Sequence, residues 1–372
     1  MEVYKQLAKN IVQYSCNVQL GENVMIDATT QVDERFLEIL VNEITAVGGV
    51  PFLQLSIPRV SRALLEATDE HRAKLLAEFE LPVMKKMHAH IRIACYDNAF
   101  ENSGIEKQRM ESYLTHYLKP VHYNQRVEHT KWTLLRWPSG AFAQSAEMSS
   151  SEFEELFFRV CTLNYGKMSM AMDALVDLMQ KTDKVRIIGQ GTNLVFSIKG
   201  QPAIKCDGKN NIPDGEVFTA PIKESVNGEI TYNIPSMQRG TKFEGVHFVV
   251  KNGKIISAEA GVNTQKLNEI LDGDEGARFF GEFAIGVNPH ISKPILDTLF
   301  DEKIAGSIHL TPGECYTEAP NGNFSAVHWD LVLCQTQEFG GGEIWFDDVL
   351  VRKDGRFVVD KLLPLNPENL IY

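Results

Sequence analysis

The 372-residue sequence predicts an α/β N-terminal domain followed by a β-rich α+β C-terminal metal-binding domain. Strand and helix patterns alternate through residues 1–183. Short β-like runs broken by Gly, Pro and Asn fill residues 184–372. Two histidines, a tyrosine and an aspartate crowd the stretch between Gly306 and Asp330. The length also asks for two domains, because a single core stops growing at roughly 250–300 residues.

The N-terminal elements follow from apolar spacing. Val3 to Tyr14 carries apolar side chains at helical intervals and predicts an opening helix. Val24-Met25-Ile26-Asp27 reads as a buried strand after the turn Gly21-Glu22-Asn23. Asp33 caps a helix whose stripe is Phe36, Leu37, Ile39, Leu40 and Ile44. Gly48-Gly49 stops it, and Val50 to Ile57 is the next strand, completing a parallel βαβ unit. Helices are expected over Ser61 to Glu78, Pro82 to His88 and Glu106 to Tyr117, and strands over Ala89 to Cys95 and Thr133 to Trp137. The Ser149-Ser150-Ser151 cluster followed by Glu152, Glu154 and Glu155 starts a helix that breaks near Asn164-Tyr165-Gly166 and runs on to Lys181.

From Lys184 onward the runs VRIIG, LVFSI, ITYNI, GVHFVV, KIISAEA, WDLVLCQ and EIWF predict a strongly curved sheet or partial barrel. Only Thr264 to Leu271 and Lys293 to Asp301 read as helices there. Gly189-Gln190-Gly191 does not complete a dinucleotide loop, because residue 194 is Leu and no helix follows.

Composition bounds the function. Hydrophobic residues make up 44% and charged residues 23%, enough for packed cores. A net charge of −12 argues against a nucleic-acid partner. The six cysteines are scattered without a C-x-x-C pair and read as reduced thiols of a cytoplasmic protein. No stretch reaches the roughly 20 apolar residues of a membrane span, and the N-terminus lacks a signal-peptide core.

The chemistry lies in four segments. If His328-Trp329-Asp330 begins a strand, His328 and Asp330 share a face and Trp329 packs on the other. Such a pair binds a transition metal, or supports a turn through a His–Asp hydrogen bond. Glu216 follows the turn Pro213-Asp214-Gly215. Glu282 stands alone in FGEFAIG, where burial needs a compensating charge, with Arg278 as one candidate. His309 ends the run from Ile304, and Tyr316 follows; Cys315 reads as filler. Glu216, Glu282, His309, His328 and Asp330 together form the oxygen-rich set with two imidazoles that two carboxylate-bridged divalent ions need.

The segments NIPDGEVFTAP, GEFAIGVNP, IHLTPGECY and NFSAVHWDLV resemble, in this order, the metallo-aminopeptidases of the aminopeptidase T and aminopeptidase S family. The opening LAKNIVQYSCNVQLGENVMI and the stretch VRIIGQGTNLVFSIKG resemble it too, so the likeness spans nearly the whole chain. The resemblance implies a two-domain homodimer that removes N-terminal residues from small peptides with two divalent ions (Zn, Co or Mn). It implies Glu216, Glu282, His309, His328 and Asp330 as metal ligands, with Glu282 and Asp330 as bridges. Tyr316 would lie at the metals as a weak ligand or oxyanion donor, and a hydroxide between the metals would attack the peptide carbonyl. Glu314 and Glu318 flank the site in sequence and are candidates for proton transfer to the leaving amine. The sequence departs from the family in its shorter length, in a contracted interval from His309 to His328, and in Asp347-Asp348 where Asp-Gly is usual. A related branch resembles ring-opening dioxygenases holding one ferrous ion, for which His309, His328 and Asp330 form a facial triad. Retention of Glu216 and Glu282 favours the dinuclear hydrolase over that branch. A non-catalytic metal or peptide binder is the third reading.

Overall fold

The computed structural model describes residues 1–98, 100–238 and 240–371. The chain forms two compact units, Met1–Thr162 with Gly208–Pro213, and Leu163–Asp207 with Asp214–Tyr372. The change from helix to strands at residue 183 is therefore not the boundary between compact units. The helix Tyr165–Lys181 belongs to the second unit, burying Tyr165, Met168, Met172, Leu175 and Met179. Its apolar face is legible in sequence, but the layer that covers it is not.

The first unit is built on a parallel sheet ordered Val50–Ser56, Asn23–Thr29, Ala89–Ala94, Lys131–Arg136 and Asn211–Ile212. Parallel neighbours require crossovers, which the helices supply. The Asp33 side chain accepts the Arg35 amide at 2.9 Å and caps Glu34–Ala46. Ser149 and Glu152 form a reciprocal capping box on Ser150–Cys161. Tyr4, Phe36, Trp137 and Phe158 pack together, with Phe36 and Trp137 ring centroids 4.6 Å apart.

Several helices differ from expectation. The opening helix is α-helical over Glu2–Lys9 and widens to a π-type turn over Asn10–Ser15. Lys107–Tyr113 continues as a π-type helix over Leu114–Val127 that contains Pro120. The segments expected over Ser61 to Glu78 and Pro82 to His88 form Pro58–Glu66 and Glu70–Met84. Among the described residues no helix is long and apolar enough to cross a membrane.

The second unit holds two larger sheets where the sequence suggests one curved sheet or partial barrel. Eight strands run in the order Lys254–Glu259, His247–Lys251, Asn227–Thr231, Thr192–Ser197, Lys184–Gly189, Glu343–Phe346, Val349–Lys353 and Arg356–Phe357. Gly189-Gln190-Gly191 is the hairpin turn between two of them, with Gly191 at φ +64°. The other sheet is antiparallel, in the order Val332–Cys334, Ser307–Pro312, Phe280–Gly286, Glu216–Thr219 and Ile204–Cys206. Its central strand, Phe280–Gly286, is buried along its whole length. Phe283 meets Phe196 of the eight-stranded sheet at 5.0 Å between ring centroids, so one face of this strand is core. Glu282 and Ala284 face the other way.

Candidate metal centre

Strand register builds the centre. Ala284 pairs with His309 on one side and Phe218 on the other, while Glu282 pairs with Thr311 and Gly286 with Glu216. Directly paired residues share a face. Glu282, His309 and Glu216 therefore converge around the small side of the central strand. A bulge at Gly281 sets the register that aims Glu282. A Cβ on Gly281 would lie 2.1 Å from the Glu314 carbonyl oxygen, so only glycine fits there.

The fourth segment arrives differently from the expected strand. Regular pairing starts at Val332, and His328 makes only an isolated bridge to Gly313. Extended backbone still places His328 and Asp330 on one side. Thr311 Oγ1 donates to Asp330 Oδ1 at 2.7 Å and ties that carboxylate to the sheet. Trp329 is buried on the opposite side, with its indole N–H donating to Ser236 Oγ at 2.8 Å and its ring 4.9 Å from Phe243.

The two oxygens of Glu282 are divided between the two imidazoles. Oε1 lies 3.3 Å from His309 Nε2, and Oε2 lies 3.3 Å from His328 Nε2. His309 Nε2 is also 3.4 Å from Glu216 Oε2, and His328 Nε2 is 3.3 Å from Asp330 Oδ1. Two ligand groups result, Glu216–Glu282–His309 and Glu282–His328–Asp330, sharing Glu282. The interaction raised for Glu282 with Arg278 does not form, because Arg278 pairs with Asp272 at 2.6 Å. Cys315 lies outside both groups, its thiol donating to the Asn323 carbonyl.

These residues fit a metal on three counts. Ligand atoms at about 2.0–2.1 Å from a tetrahedral ion stand roughly 3.3–3.4 Å apart, which matches the separations above. Glu216 Oε2 and His328 Nε2 are buried without a hydrogen-bond partner. His328 Nδ1 donates to the Glu314 carbonyl at 2.9 Å, so Nε2 is the ring nitrogen left to face the two carboxylates and, on losing its proton, to bind a metal. The electrostatics agree. Burial opposes charge on His309, but Glu216, Glu282 and Asp330 outweigh it and raise its pKa to about 10. Burial also opposes charge on His328, yet Asp330 and Glu282 push it up to about 12. Burial alone would raise Glu282 and Asp330, and the imidazoles hold both below the usual carboxylate range. The pocket draws in positive charge.

Three further groups matter. Tyr316 is half exposed beside the centre, its ring 4.8 Å from His328 and 5.3 Å from Phe218. Burial of its hydroxyl, with the carboxylates nearby, raises its pKa, so the phenol keeps its proton and can donate. Glu302, absent from the sequence reading, lies within metal-binding distance of His309 and Asp330. Lys303 beside it donates to Glu216 Oε1 at 2.8 Å. Glu302-Lys303 sits in the charged run Asp301-Glu302-Lys303, which in sequence resembles a solvated helix end; the apolar residues just after it were the only signal of burial. Glu314 and Glu318 are not brought into the cluster. The Glu314 carboxylate accepts the Ser325 amide, and Glu318 is exposed, taking the Thr317 hydroxyl.

The family model described as thermophilic metalloprotease (M29) matches residues 2–357. The chain belongs to the thermophilic metalloprotease (M29) family. Membership makes it a hydrolase and implies a divalent metal cofactor. Aminopeptidase 2 of Geobacillus stearothermophilus is 27% identical over 269 residues, a match spanning 60% of this chain and 62% of that protein. Aminopeptidase AmpS of Bacillus subtilis is 26% identical over 369 residues, covering 89% of this chain and 88% of the relative. Among solved structures, wild-type AmpT from Thermus thermophilus superimposes with a TM-score of 0.77 at 22% identity, covering 96% of this chain and 99% of that one. A 2,5-dihydroxypyridine dioxygenase from Pseudomonas putida KT2440 gives 0.63 at 12% identity, covering 96% and 98%. At those identities the two structural likenesses concern the fold alone. This M29 chain thus shares its fold with proteins described by two different activities.

Proposed function

We propose that this M29 protein is an aminopeptidase that removes N-terminal residues from small peptides, using two divalent cations (Zn, Co or Mn) held by Glu216, Glu282, His309, His328 and Asp330. The observation that carries the reading is the division of Glu282 between two imidazoles, which makes one carboxylate common to two ligand groups. Charge supports it. Glu216, Glu282 and Asp330 bring three carboxylates to the two imidazoles, with Lys303 engaging only the far oxygen of Glu216. A mononuclear ferrous site on His309, His328 and Asp330 would not use Glu216.

Divalent cations held by Glu216, Glu282, His309, His328 and Asp330 would supply Lewis-acid chemistry there, polarising a peptide carbonyl and acidifying water. The Tyr316 hydroxyl donates to the oxyanion as it develops. Glu302 is the carboxylate at the centre that would carry the proton to the leaving amine, while the sequence candidates Glu314 and Glu318 lie outside the cluster. The half-exposed Tyr316 marks the side of the centre from which a substrate would approach.

A homodimer is part of the same reading. Strand Val50–Ser56 is the edge of its sheet and exposes Val50, Phe52, Leu53 and Leu55, an apolar edge that natural proteins usually cover. Sedimentation that finds only monomer at every concentration removes it. Six free cysteines support a cytoplasmic location.

The deciding experiment measures metal content of protein purified without chelator, then peptide hydrolysis after adding Zn²⁺, Co²⁺ or Mn²⁺. Two ions per chain with metal-dependent release of N-terminal residues is the expected result. One iron per chain without peptide cleavage replaces the hydrolase with the dioxygenase reading.

A further inference from the structure

Lys303 has a side chain only 1% exposed and is surrounded by acids. Its ammonium donates to Glu216 Oε1 at 2.8 Å, contacts Glu302 Oε1, and lies 3.9 Å from Asp214 Oδ1. Cys206, Asp214 and Glu216 present atoms close enough together to hold a cation of their own. The lysine ammonium already serves as the cation for the two carboxylates of that group, so this corner is a fixed positive charge built into the chain.

The position of Lys303 is set by backbone. Its amide donates to the Phe300 carbonyl at 3.0 Å, and its own carbonyl accepts the Asn288 amide at 3.0 Å. A Cβ on Gly286 would stand 2.5 Å from the Ile304 carbonyl oxygen and 2.9 Å from that of Glu302. The Glu302–Ile304 segment therefore lies directly against the strand residue that pairs with Glu216. A lysine held so firmly holds what it bonds.

We propose that Lys303 is a positioning residue for Glu216: by engaging Oε1 it leaves Oε2 as the oxygen turned toward His309 and the metal centre. The unpartnered state of Glu216 Oε2, 3.4 Å from His309 Nε2, is the counterpart of that bond. The proposal rests on reading Glu216 as a metal ligand. It adds that one ligand group depends on an internal cation that touches no metal.

Two effects of Lys303 oppose each other, and their signs separate the possibilities. As a positive charge it repels an incoming dication. As a clamp it presents a ligand already oriented, which favours binding. A lysine that only balanced charge would, when removed, make the second ion bind more tightly. A positioning lysine makes it bind more weakly.

The test strips the full-length protein of metal and titrates Zn²⁺ against a chromophoric chelator, with Co²⁺ absorption reporting coordination. Wild type is compared with Lys303→Met, Lys303→Arg and the double variant Lys303→Met/Asp214→Asn, which keeps the net charge of wild type and guards against collapse from uncompensated acids. Wild type takes two ions. Lys303→Met and the double variant retain one, at Glu282–His328–Asp330, and bind the other about 10–100-fold more weakly, the scale for loss of a ligand's supporting partner. Lys303→Arg recovers part of the loss, because a guanidinium can still bond Glu216. Unchanged or tighter binding of the second ion overturns the proposal, as does loss of both ions together. Wild-type protein that takes fewer than two ions overturns the dinuclear reading itself, a separate result.

Discussion

His328 donates from Nδ1 to the backbone carbonyl of Glu314 across 2.9 Å, so the chain itself chooses which imidazole nitrogen faces the acids. The bond depends on a close approach. Gly313, next to Glu314, has φ +107°, and a Cβ there would lie 1.9 Å from the Val327 carbonyl oxygen. Gly313→Ala is expected to destabilise the protein by about 2 kcal/mol or more, since backbone strain and a steric clash combine. It also weakens metal binding at His328. Thermal unfolding of the metal-free protein and a Zn²⁺ titration read the two effects, and normal values in both would show that the close approach is dispensable.

Glu282 serves both ligand groups, so its loss should not be local. Glu282→Gln keeps size and shape but removes the negative charge and turns one of the two ligand oxygens into an NH2 donor. The expected outcome is weakened binding of both ions, by more than the about 10–100-fold of a supporting-partner change. Metal analysis after dialysis checks it. Loss of only one ion would show that Glu282 does not bridge.

Tyr316 tests the oxyanion role. Tyr316→Phe removes the hydroxyl and leaves the ring contacts with Phe218 and His328. Turnover should fall about 10²-fold or more with metal content kept. Unchanged turnover would take Tyr316 out of the chemistry.

Three carboxylates compete for the proton-transfer role, and their surroundings rank them. Glu302→Gln is expected to lower turnover by about 10²-fold or more, because that side chain faces the centre. Glu314→Gln should act mainly through the Ser325 amide bond and show as lost stability. Glu318→Gln, exposed to solvent, should leave turnover unchanged. Single-turnover kinetics with one peptide compares all three, and a reversed order would return the role to Glu318.

A pH effect is expected in the first unit. Burial, then Arg126 and Arg92, lowers the pKa of His122 to about 4. Its unfolded value is about 6.5. Below that value the unfolded chain binds a proton that the folded chain refuses, so stability present above about pH 6.5 is lost as pH falls toward 4. The melting temperature should drop over that window, and His122→Asn should flatten the drop. Equal slopes in both proteins would contradict the assignment.

Much of this centre was legible because strands advertise themselves at a period of two. His328 and Asp330 share a side, as the alternation predicts, even though their segment is not a regular strand, whereas Glu282 was legible only as a lone acid in an apolar run and its strand Phe280–Gly286 was not. Pairing register was not legible. The bulge at Gly281 and the packing of Glu302-Lys303 depend on residues far away in sequence. The helix expected from Lys293 to Asp301 shrinks to Thr298–Asp301 for a similar reason. Leu296 takes φ +59°, and the Asp301 carboxylate accepts the Ile295 amide at 2.7 Å, closing a turn that apolar spacing does not reveal.

The return of Gly208–Pro213 to the first sheet bears on how the protein is made. Thr133 donates to the Lys209 carbonyl and the Leu134 amide to that of Asn210, each at 2.8 Å, before Asn211–Ile212 pairs beside Lys131–Arg136. A nascent chain emerging from the ribosome therefore carries an open sheet edge long after its first 162 residues are out. That edge closes only as the segment just ahead of Glu216 appears. The short strand that covers this edge is thus made only a few residues ahead of Glu216. Residues 1–162 expressed alone would keep a sticky rim that the full-length chain conceals.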